Sequence, residues 1–559
     1  MRVYGKYLLL VWLLVVSALG HGQTAYYYYV QFTDKDSNTY SLSHPEQFLS
    51  QRALDRRTRQ GIAITENDLP VSQQYLLGIA ATGVTLLNPT KWLNGVTIET
   101  TDTNQLAQIR QKTYVLTTRL IKTGSIKKAF FTHESVSGAS SDQNKSAAAE
   151  TGYDYGYAAT QIDQIKGTGL HDSGYRGQKM VIAVLDAGYL NVPRQIVFDS
   201  LRAEGRLLGT RDFVHPGGSV YVESDHGRMV LSCMAADDPG LMIGTAPKAS
   251  YWLLHTEDVT SESVLEEYNW VSGAEFADSV GADIINSSLG YTTFNDTADS
   301  YTYADMNGKT AVSTLGAEIA ASKGILVVNS AGNSGGTSEP WVGAPADGDS
   351  VFTIGAVNGA GYRASFSSTG PTYDGRIKPT VMAMGELTTV ADADTGVLYG
   401  NGTSFSSPII AGMSACLWQA HPKASNMQII QSIKETASLH NDPNNQMGWG
   451  IPDFSRADSM LTILTTVETN QKLPFEWNVF PNPFQGDVIL TLNRVPVKGQ
   501  VVVSLFNLLG QKVVEKSFVL SGSFGEYKMK GLGDIPSGYY VLSVRMNRWQ
   551  IHTKILKSH

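Results

Sequence analysis

The 559-residue chain has few cysteines and few charged side chains. Its two cysteines, Cys233 and Cys416, are too few for a disulfide framework or a zinc ribbon built on cysteine. Lys and Arg number 43 against 51 Asp and Glu, and the net charge of −8 argues against a nucleic-acid partner. No His-Glu-x-x-His, P-loop or EF-hand motif occurs, so the sequence implies neither a catalytic metal nor a nucleotide.

Long apolar runs are also missing, apart from a short one near the start. Basic residues, the apolar run Leu8–Val16 and then small residues follow one another, as in a secretory signal peptide over residues 1–22. The alternative, a membrane anchor, needs about 18 uninterrupted apolar residues, and this run is shorter. No later run reaches that length, so we expect the mature chain to be exported and to contain no membrane helix.

Residues 23–148 mix strand and helix patterns and carry no catalytic-looking cluster, which predicts an α+β domain followed by a linker. The expected elements are strands at Tyr26–Phe32, Val96–Thr100 and Tyr114–Ile121, a helix at Pro45–Gln60 and a Ser/Ala/Gly-rich linker at Ser135–Ala149.

Residues 149–463 alternate short, continuous apolar runs with helical patterns. Continuous runs are typical of strands buried on both faces, so the pattern predicts an α/β domain with a mostly parallel sheet. The runs are Met180–Leu185, Ile284–Ile285, Ile325–Val328 and Val351–Ile354, with a helix at Thr310–Lys323. In such sheets ligands bind beyond the carboxyl ends of the strands.

The pattern changes over residues 475–559, where short strand-like runs are separated by Gly and Pro. This pattern predicts a small all-β sandwich.

Four polar residues of the middle block are candidates for chemistry. Asp186 ends a buried strand, His226 begins a helix, Asn333 follows another strand and Ser404 lies at a helix N-terminus. Each alone has an ordinary structural explanation, such as a turn residue or a helix cap. Together they supply the nucleophile, base, carboxylate and oxyanion donor that acyl transfer needs.

The order Asp, His, Asn, Ser, with spacings of 40, 107 and 71 residues, resembles that of the subtilisin-like serine proteases. The resemblance covers roughly residues 151–460. The sequence motifs that carry it are Val-Ile-Ala-Val-Leu-Asp186-Ala-Gly, Asp225-His226-Gly227, Gly244-Thr-Ala-Pro247, Asn286-Ser-Ser-Leu-Gly290 and Gly402-Thr-Ser404-Phe-Ser-Ser-Pro408.

This resemblance implies that Ser404 is the nucleophile, that His226 is its general base and then acid, and that Asp186 orients His226. It further implies that the Asn333 amide and a backbone N–H bind the oxyanion. Polypeptide substrates are expected to lie along the substrate strand and the walls of the first pocket, at Ser288, Leu289, Gly290, Ala331 and Gly332.

Three residues depart from the family pattern without removing a catalytic group. Ala187 stands where the family often has Ser or Thr, so one hydrogen bond to Asp186 is expected to be missing. Arg228 and Phe405 also replace common family residues. The departures leave specificity unassigned. No cofactor is expected to be required for the chemistry. Structural calcium is frequent in the family, but the sequence does not identify a set of calcium ligands.

The flanking blocks also have family parallels. Residues 23–148 have the length and element mix of the α+β pro-domain that such enzymes carry, with an accessory domain as the alternative. Residues 475–559 resemble the C-terminal sorting domain of type IX secretion in Bacteroidetes, with a carbohydrate- or protein-binding sandwich as the alternative. The motifs are Asn478-Val-Phe-Pro-Asn-Pro-Phe484, Asn507-Leu-Leu-Gly-Gln511 and Ile535-Pro-Ser-Gly-Tyr-Tyr-Val-Leu542. This resemblance implies outer-membrane secretion machinery as a partner and an extracellular or cell-surface location, reached through the periplasm.

Two other functions compete with the protease. Gly332-Asn-Ser334-Gly-Gly336 matches the nucleophile elbow of α/β-hydrolases, which would make Ser334 an esterase nucleophile with His421 or His440 as base. Pro340 and Pro345 oppose the helix that the elbow requires. A protease-like shell that only binds peptides is the other alternative. Cys233 and Cys416 lie on two helices that are expected to pack together. The two cysteines are therefore expected to form either a disulfide or two buried thiols.

Overall fold

The computed structural model describes residues 24–124, 136–138, 153–466, 476–495, 499–507, 512–546 and 549–558. The predicted signal peptide and most of the predicted linker lie outside these residues. The described chain forms an α+β part, a large α/β part and a C-terminal all-β part, in the predicted order.

The N-terminal part is a four-stranded antiparallel sheet in the order β2-β3-β1-β4, with three helices. Its elements are β1 Tyr26–Phe32, α1 Gln51–Gln60, α2 Gln73–Ala80, β2 Thr85–Thr90, β3 Gly95–Thr100, α3 Asn104–Arg110 and β4 Val115–Thr123. Within the predicted linker, β5 Val136–Gly138 pairs with a strand of the middle part.

The single helix predicted over Pro45–Gln60 is wrong. Pro45–Gln47 forms one turn of 3-10 helix, and α1 begins only at Gln51. The reason is a local cap, because the Ser50 hydroxyl accepts a hydrogen bond from the Ala53 N–H at 3.2 Å. Gly61, with φ of 69°, ends the helix as predicted.

The middle part is built on a seven-stranded parallel sheet in the order β14-β13-β12-β11-β6-β10-β7. Its elements are α4 Ala159–Asp163, α5 Thr168–Asp172, β6 Val181–Asp186, α6 Asp199–Ala203, β7 Leu207–Asp212, α7 His226–Ala235, β8 Asp237–Asp238, β9 Met242–Ile243, β10 Ser250–His255, α8 Val264–Val280, β11 Ile284–Ser287, α9 Val312–Ser322, β12 Leu326–Ser330, β13 Phe352–Val357, β14 Val381–Met384, β15 Thr388–Ala391, β16 Val397–Gly400, α10 Thr403–Ala420, α11 Asn426–Thr436 and α12 Phe454–Thr466.

Helices cover both faces of this sheet, which explains why its strands are apolar without alternation. In β6, Ile182 and Val184 belong to the core that contains α7 and α10. The alternate residues Ala183 and Leu185 belong to the core that contains α8 and α9. Helices α7 and α10 pack against each other, and the two cysteines are buried there without forming a disulfide.

The C-terminal part consists of two antiparallel sheets around one apolar core, as predicted for a small sandwich. The sheets have the orders β17-β18-β21 and β20-β19-β22-β23. Their strands are β17 Glu476–Phe480, β18 Val488–Asn493, β19 Gly499–Phe506, β20 Lys512–Leu520, β21 Phe524–Met529, β22 Gly538–Met546 and β23 Trp549–Lys557. Among the helices that the structure describes, none is both long and apolar enough to cross a membrane.

The N-terminal part docks on α8 through a buried network of charges. Asp278 of α8 is fully buried and pairs with Arg56, with Arg57 at 2.9 Å and with Lys91 at 3.2 Å. Burial alone would raise the pKa of Asp278, but the three cations hold it well below its usual range. Glu275, one turn away, accepts the backbone N–H of Lys91 at 2.7 Å. The interface therefore depends on charge pairing as well as on apolar packing.

Replacing the central carboxylate should destabilise the assembled chain. We expect Asp278→Asn to lower the free energy of unfolding by about 3–5 kcal/mol, because three buried cations lose their common partner. Urea unfolding of the full chain measures this, with Ser404→Ala added to keep the chain intact. Asp199→Asn is the matched control, since that carboxylate is 71% exposed in its pair with Arg202 and should contribute at most about 1 kcal/mol. Equal effects of the two substitutions would contradict the inferred importance of the network.

Candidate active site

Asp186 occupies the carboxyl end of the central strand β6. Its side chain is fully buried, and Oδ1 accepts the Ala187 N–H at 2.8 Å and lies 2.6 Å from His226 Nδ1. The other oxygen, Oδ2, is buried and has no hydrogen-bond partner among the described residues. This agrees with the expectation from Ala187, which offers no hydroxyl. One carboxylate oxygen therefore both binds the imidazole and selects its Nδ1–H tautomer.

His226 is the first residue of α7, and its ring is 20% exposed toward the cleft described below. The helix starts against the Asp186 loop, because the Gly227 N–H donates to the Gly188 carbonyl at 3.0 Å. Any side chain at Gly227 would meet that carbonyl, since a Cβ there would lie 2.5 Å from the oxygen. The His-Gly pair is thus a steric requirement for bringing the imidazole to Asp186.

Ser404 is the second residue of α10 and is 5% exposed. The Ser288 hydroxyl donates to its carbonyl at 2.9 Å, which ties α10 to the segment after β11. At a helix N-terminus the side chain lies in the positive end of the helix dipole, which favours negative charge nearby.

The Asn333 amide is oriented by Thr403, the residue before the candidate nucleophile. Its oxygen accepts the Thr403 N–H at 2.9 Å and the Thr403 hydroxyl at 3.0 Å. A backbone N–H can only donate, so this atom must be the amide oxygen and the NH2 is the other end of the group. The same hydroxyl accepts the Gly332 N–H at 3.1 Å, which completes a chain from the β12 loop to α10.

One cleft of about 830 Å³ gathers nearly all of the predicted site residues. It is lined by His226, Ser288, Leu289, Gly290, Ala331, Gly332, Asn333 and Ser404, and Asp186 is buried behind His226. Two glutamates that also line the cleft, Glu257 and Glu262, were not predicted from the sequence. Glu257 lies just after β10, at the carboxyl edge where functional residues were sought, so recognising that strand would have found it.

The esterase alternative lacks its structural context. Ser334 is followed by a turn rather than by the helix that a nucleophile elbow requires. Both candidate bases are engaged elsewhere, His421 with Asp458 at 2.8 Å and His440 with the Ala437 carbonyl at 2.9 Å.

Among the described residues, no group of three or more His, Cys, Asp or Glu could hold a metal ion. The expectation about cofactors stays a prediction.

Three family models match the chain in sequence order. The Peptidase S8 propeptide domain of Bacteroidota matches residues 27–136, the Subtilase family matches residues 177–450 and the secretion system C-terminal sorting domain matches residues 478–558. The last match identifies a secreted or cell-surface protein, as the sequence analysis expected.

Curated subtilisins are similar to the middle part. Subtilisin E of Bacillus subtilis (strain 168) is 34% identical over 283 residues, which are 50% of this chain and 65% of that protein. Subtilisin of Bacillus pumilus is 34% identical over 283 residues, 50% of this chain and 90% of that protein. The solved MycP3 protease from the type VII (ESX-3) secretion system aligns with a TM-score of 0.43 and 19% identity, covering 58% of this chain and 92% of that chain. With its propeptide and sorting-domain matches on either side, this chain belongs to the subtilase family.

Proposed function

We propose that this chain is a serine endopeptidase that hydrolyses peptide bonds through an acyl-enzyme, with Asp186, His226 and Ser404 as catalytic residues. The observation that carries the proposal is the 2.6 Å contact between Asp186 and His226 at the wall of the cleft that Ser404 also lines. Family membership and the filled positions of all three residues support it over a peptide-binding shell.

The first step is attack of the Ser404 Oγ on the scissile carbonyl carbon, as His226 Nε2 takes the hydroxyl proton. Asp186 stabilises the imidazolium that forms. The imidazolium then protonates the leaving amine, and a water molecule, deprotonated by His226 in turn, hydrolyses the acyl-enzyme. The buried, hydrogen-bonded position of Asp186 suits this role because it fixes both the tautomer and the orientation of the ring.

The oxyanion is bound by the Asn333 NH2 and by a backbone N–H, for which Ser404 at the start of α10 is the candidate. Thr403 supports this assignment because it holds the Asn333 oxygen. The substrate backbone pairs with Ser288, Leu289 and Gly290 by strand addition, and Ala331 and Gly332 form the opposite wall of the first pocket.

The N-terminal part acts as a pro-domain that is cut from the enzyme near residues 135–150. In support, β5 pairs with β16, which ends four residues before Ser404, so this segment lies beside the candidate nucleophile. The C-terminal part engages outer-membrane secretion machinery, which exports the chain from the periplasm.

The nucleophile assignment predicts that Ser404→Ala abolishes casein hydrolysis and labelling by a serine-directed fluorophosphonate, and that the variant keeps its full length. Wild type, expressed without residues 1–22, should be labelled and should shorten near residues 135–150. Ser334→Ala is the matched control, since Ser334 lines the same cleft, and it should behave as wild type. If the Ser404→Ala variant is still labelled, another residue is the nucleophile.

Asn333 should act in the transition state rather than in substrate binding. We expect Asn333→Ala to lower kcat by about 10²–10³-fold with little change in KM, the loss that removing the oxyanion donor causes in subtilisin itself. Steady-state kinetics on a chromogenic peptide measures both constants. A change confined to KM would contradict the assignment.

Thr403 should act through Asn333. Thr403→Val leaves the Gly332 N–H and the Asn333 oxygen each short of one hydrogen bond, so we expect lower kcat and a loss of about 1–3 kcal/mol in stability. Thr403→Ser retains the hydroxyl and should restore most of both. Kinetics and thermal unfolding of the two variants are the measurements. Equal kcat values for Thr403→Val and Thr403→Ser would refute the proposal that Thr403 positions Asn333.

A further inference from the structure

The cleft is acidic on the side next to His226. Asp225, Glu257 and Glu262 are among the residues that line it, and no described lining residue is Lys or Arg. Asp225 already has a partner, because Arg228 lies 2.9 Å from its carboxylate. Among the residues that the structure describes, no lining cation pairs with Glu257 or Glu262.

Both hydrogen bonds to the buried Glu257 side chain fall on one of its two oxygens. Its side chain is only 2% exposed, and Oε1 accepts the Tyr291 hydroxyl and, at 3.3 Å, the Thr256 hydroxyl. Oε2 has no hydrogen-bond partner among the described residues, although the side chain lines the cleft. Burial and the nearby charge of Glu262 raise the pKa of Glu257 well above its usual range. A carboxylate oxygen that lines a cleft and accepts no hydrogen bond from the protein can accept one from a bound ligand.

Glu262 is fixed near it by a rigid backbone contact. Its N–H donates to the Asn295 side-chain oxygen at 2.5 Å, and its carbonyl accepts the Asn295 N–H at 2.8 Å. No hydrogen bond to its carboxylate occurs among the described residues. Burial, Glu267 and Asp258 raise its pKa to about 8. Glu266, which is close in sequence, differs from Glu262 because both of its carboxylate oxygens accept hydrogen bonds, from the Ser263 and Asp258 N–H groups.

The loop that carries Glu262 already binds a lysine. Lys122 of β4, from the N-terminal part, lies 2.7 Å from the Asp258 carboxylate and 2.6 Å from the Ser261 hydroxyl. This pairing helps to hold the pKa of Asp258 below its usual range. An ammonium group therefore fits this loop, and Glu257 and Glu262 are the carboxylates of the loop that line the cleft.

We propose that Glu257 and Glu262 make this cleft selective for polypeptides with a lysine or arginine in the bound segment. The inference rests on the proposed endopeptidase function and names its substrate class. The cation donates hydrogen bonds to Glu257 Oε2 and to the Glu262 carboxylate, and it relieves the repulsion between them. Both are specificity-determining residues that do not touch the reacting atoms.

The test uses fluorogenic peptides that differ at a single position, which carries Lys, Gln or Glu and is moved through the positions flanking the scissile bond. Assays at pH 9 keep Glu262 above its pKa of about 8. At one position we expect wild type to prefer Lys over Gln by roughly tenfold or more in kcat/KM, the value of a charge-assisted hydrogen bond. Glu257→Gln and Glu262→Gln should each lower the ratio of kcat/KM for the Lys peptide to kcat/KM for the Gln peptide severalfold.

Glu339→Gln is the matched control, because Glu339 is exposed on a nearby loop and does not line the cleft. It should keep the preference for Lys. The proposal is overturned if wild type shows no preference for Lys at any position, or if the preference survives both cleft substitutions.

Failure of the proposed enzymatic function has a different signature, namely no hydrolysis of any peptide. Fluorescence anisotropy of the same peptides with the full chain then tests whether the acidic subsite binds the Lys peptide. Tighter binding of the Lys peptide that is lost in both cleft variants supports the acidic subsite without catalysis. Equal binding of the Lys and Gln peptides overturns it.

Discussion

The parallel register of the central strands is the constraint on which the rest of the site depends. Leu185 of β6 lies level with Ser287 of β11, which in turn lies level with Asn329 of β12. Because all three strands run in the same direction, the residues that follow them emerge at one edge of the sheet. Asp186, the Ser288 segment and the Asn333 loop, which are far apart in sequence, are therefore neighbours before any side chain has made a contact.

Two helices then supply what the strand ends lack. Helices α7 and α10 pack against each other below this edge, and each has one of the proposed catalytic residues in its first turn at the cleft. Their starts are tied to the strand loops by hydrogen bonds, from the Gly227 N–H to the Gly188 carbonyl and from the Thr403 N–H to the Asn333 side-chain oxygen. Backbone N–H groups at both helix starts thus help to hold the geometry of the site.

The sequence predicted the fold class, the strand ends and the residues that meet in the cleft, because each leaves a local signal. A buried apolar run marks a strand, and Gly227 marks a helix start that tolerates no side chain. The break before Gln51 was missed because one hydroxyl, that of Ser50, decides it. Glu257 and Glu262 were missed for another reason. Their environment depends on Tyr291 and Asn295, about 30 residues away, and no local pattern reports such contacts.

Helix α8 shows how differently one fold treats buried carboxylates. Near its C-terminal end, Asp278 is surrounded by Arg56, Arg57 and Lys91, so its charge is compensated within the chain. At its N-terminal end, Glu266 caps the helix by accepting the Ser263 N–H, and its other oxygen accepts the Asp258 N–H. Among the described residues, none donates a hydrogen bond to the carboxylate of Glu262, just before the helix. A carboxylate that serves only stability gains nothing from being left without a donor. The contrast between the two ends therefore supports the proposal that the Glu262 carboxylate serves a group bound in the cleft.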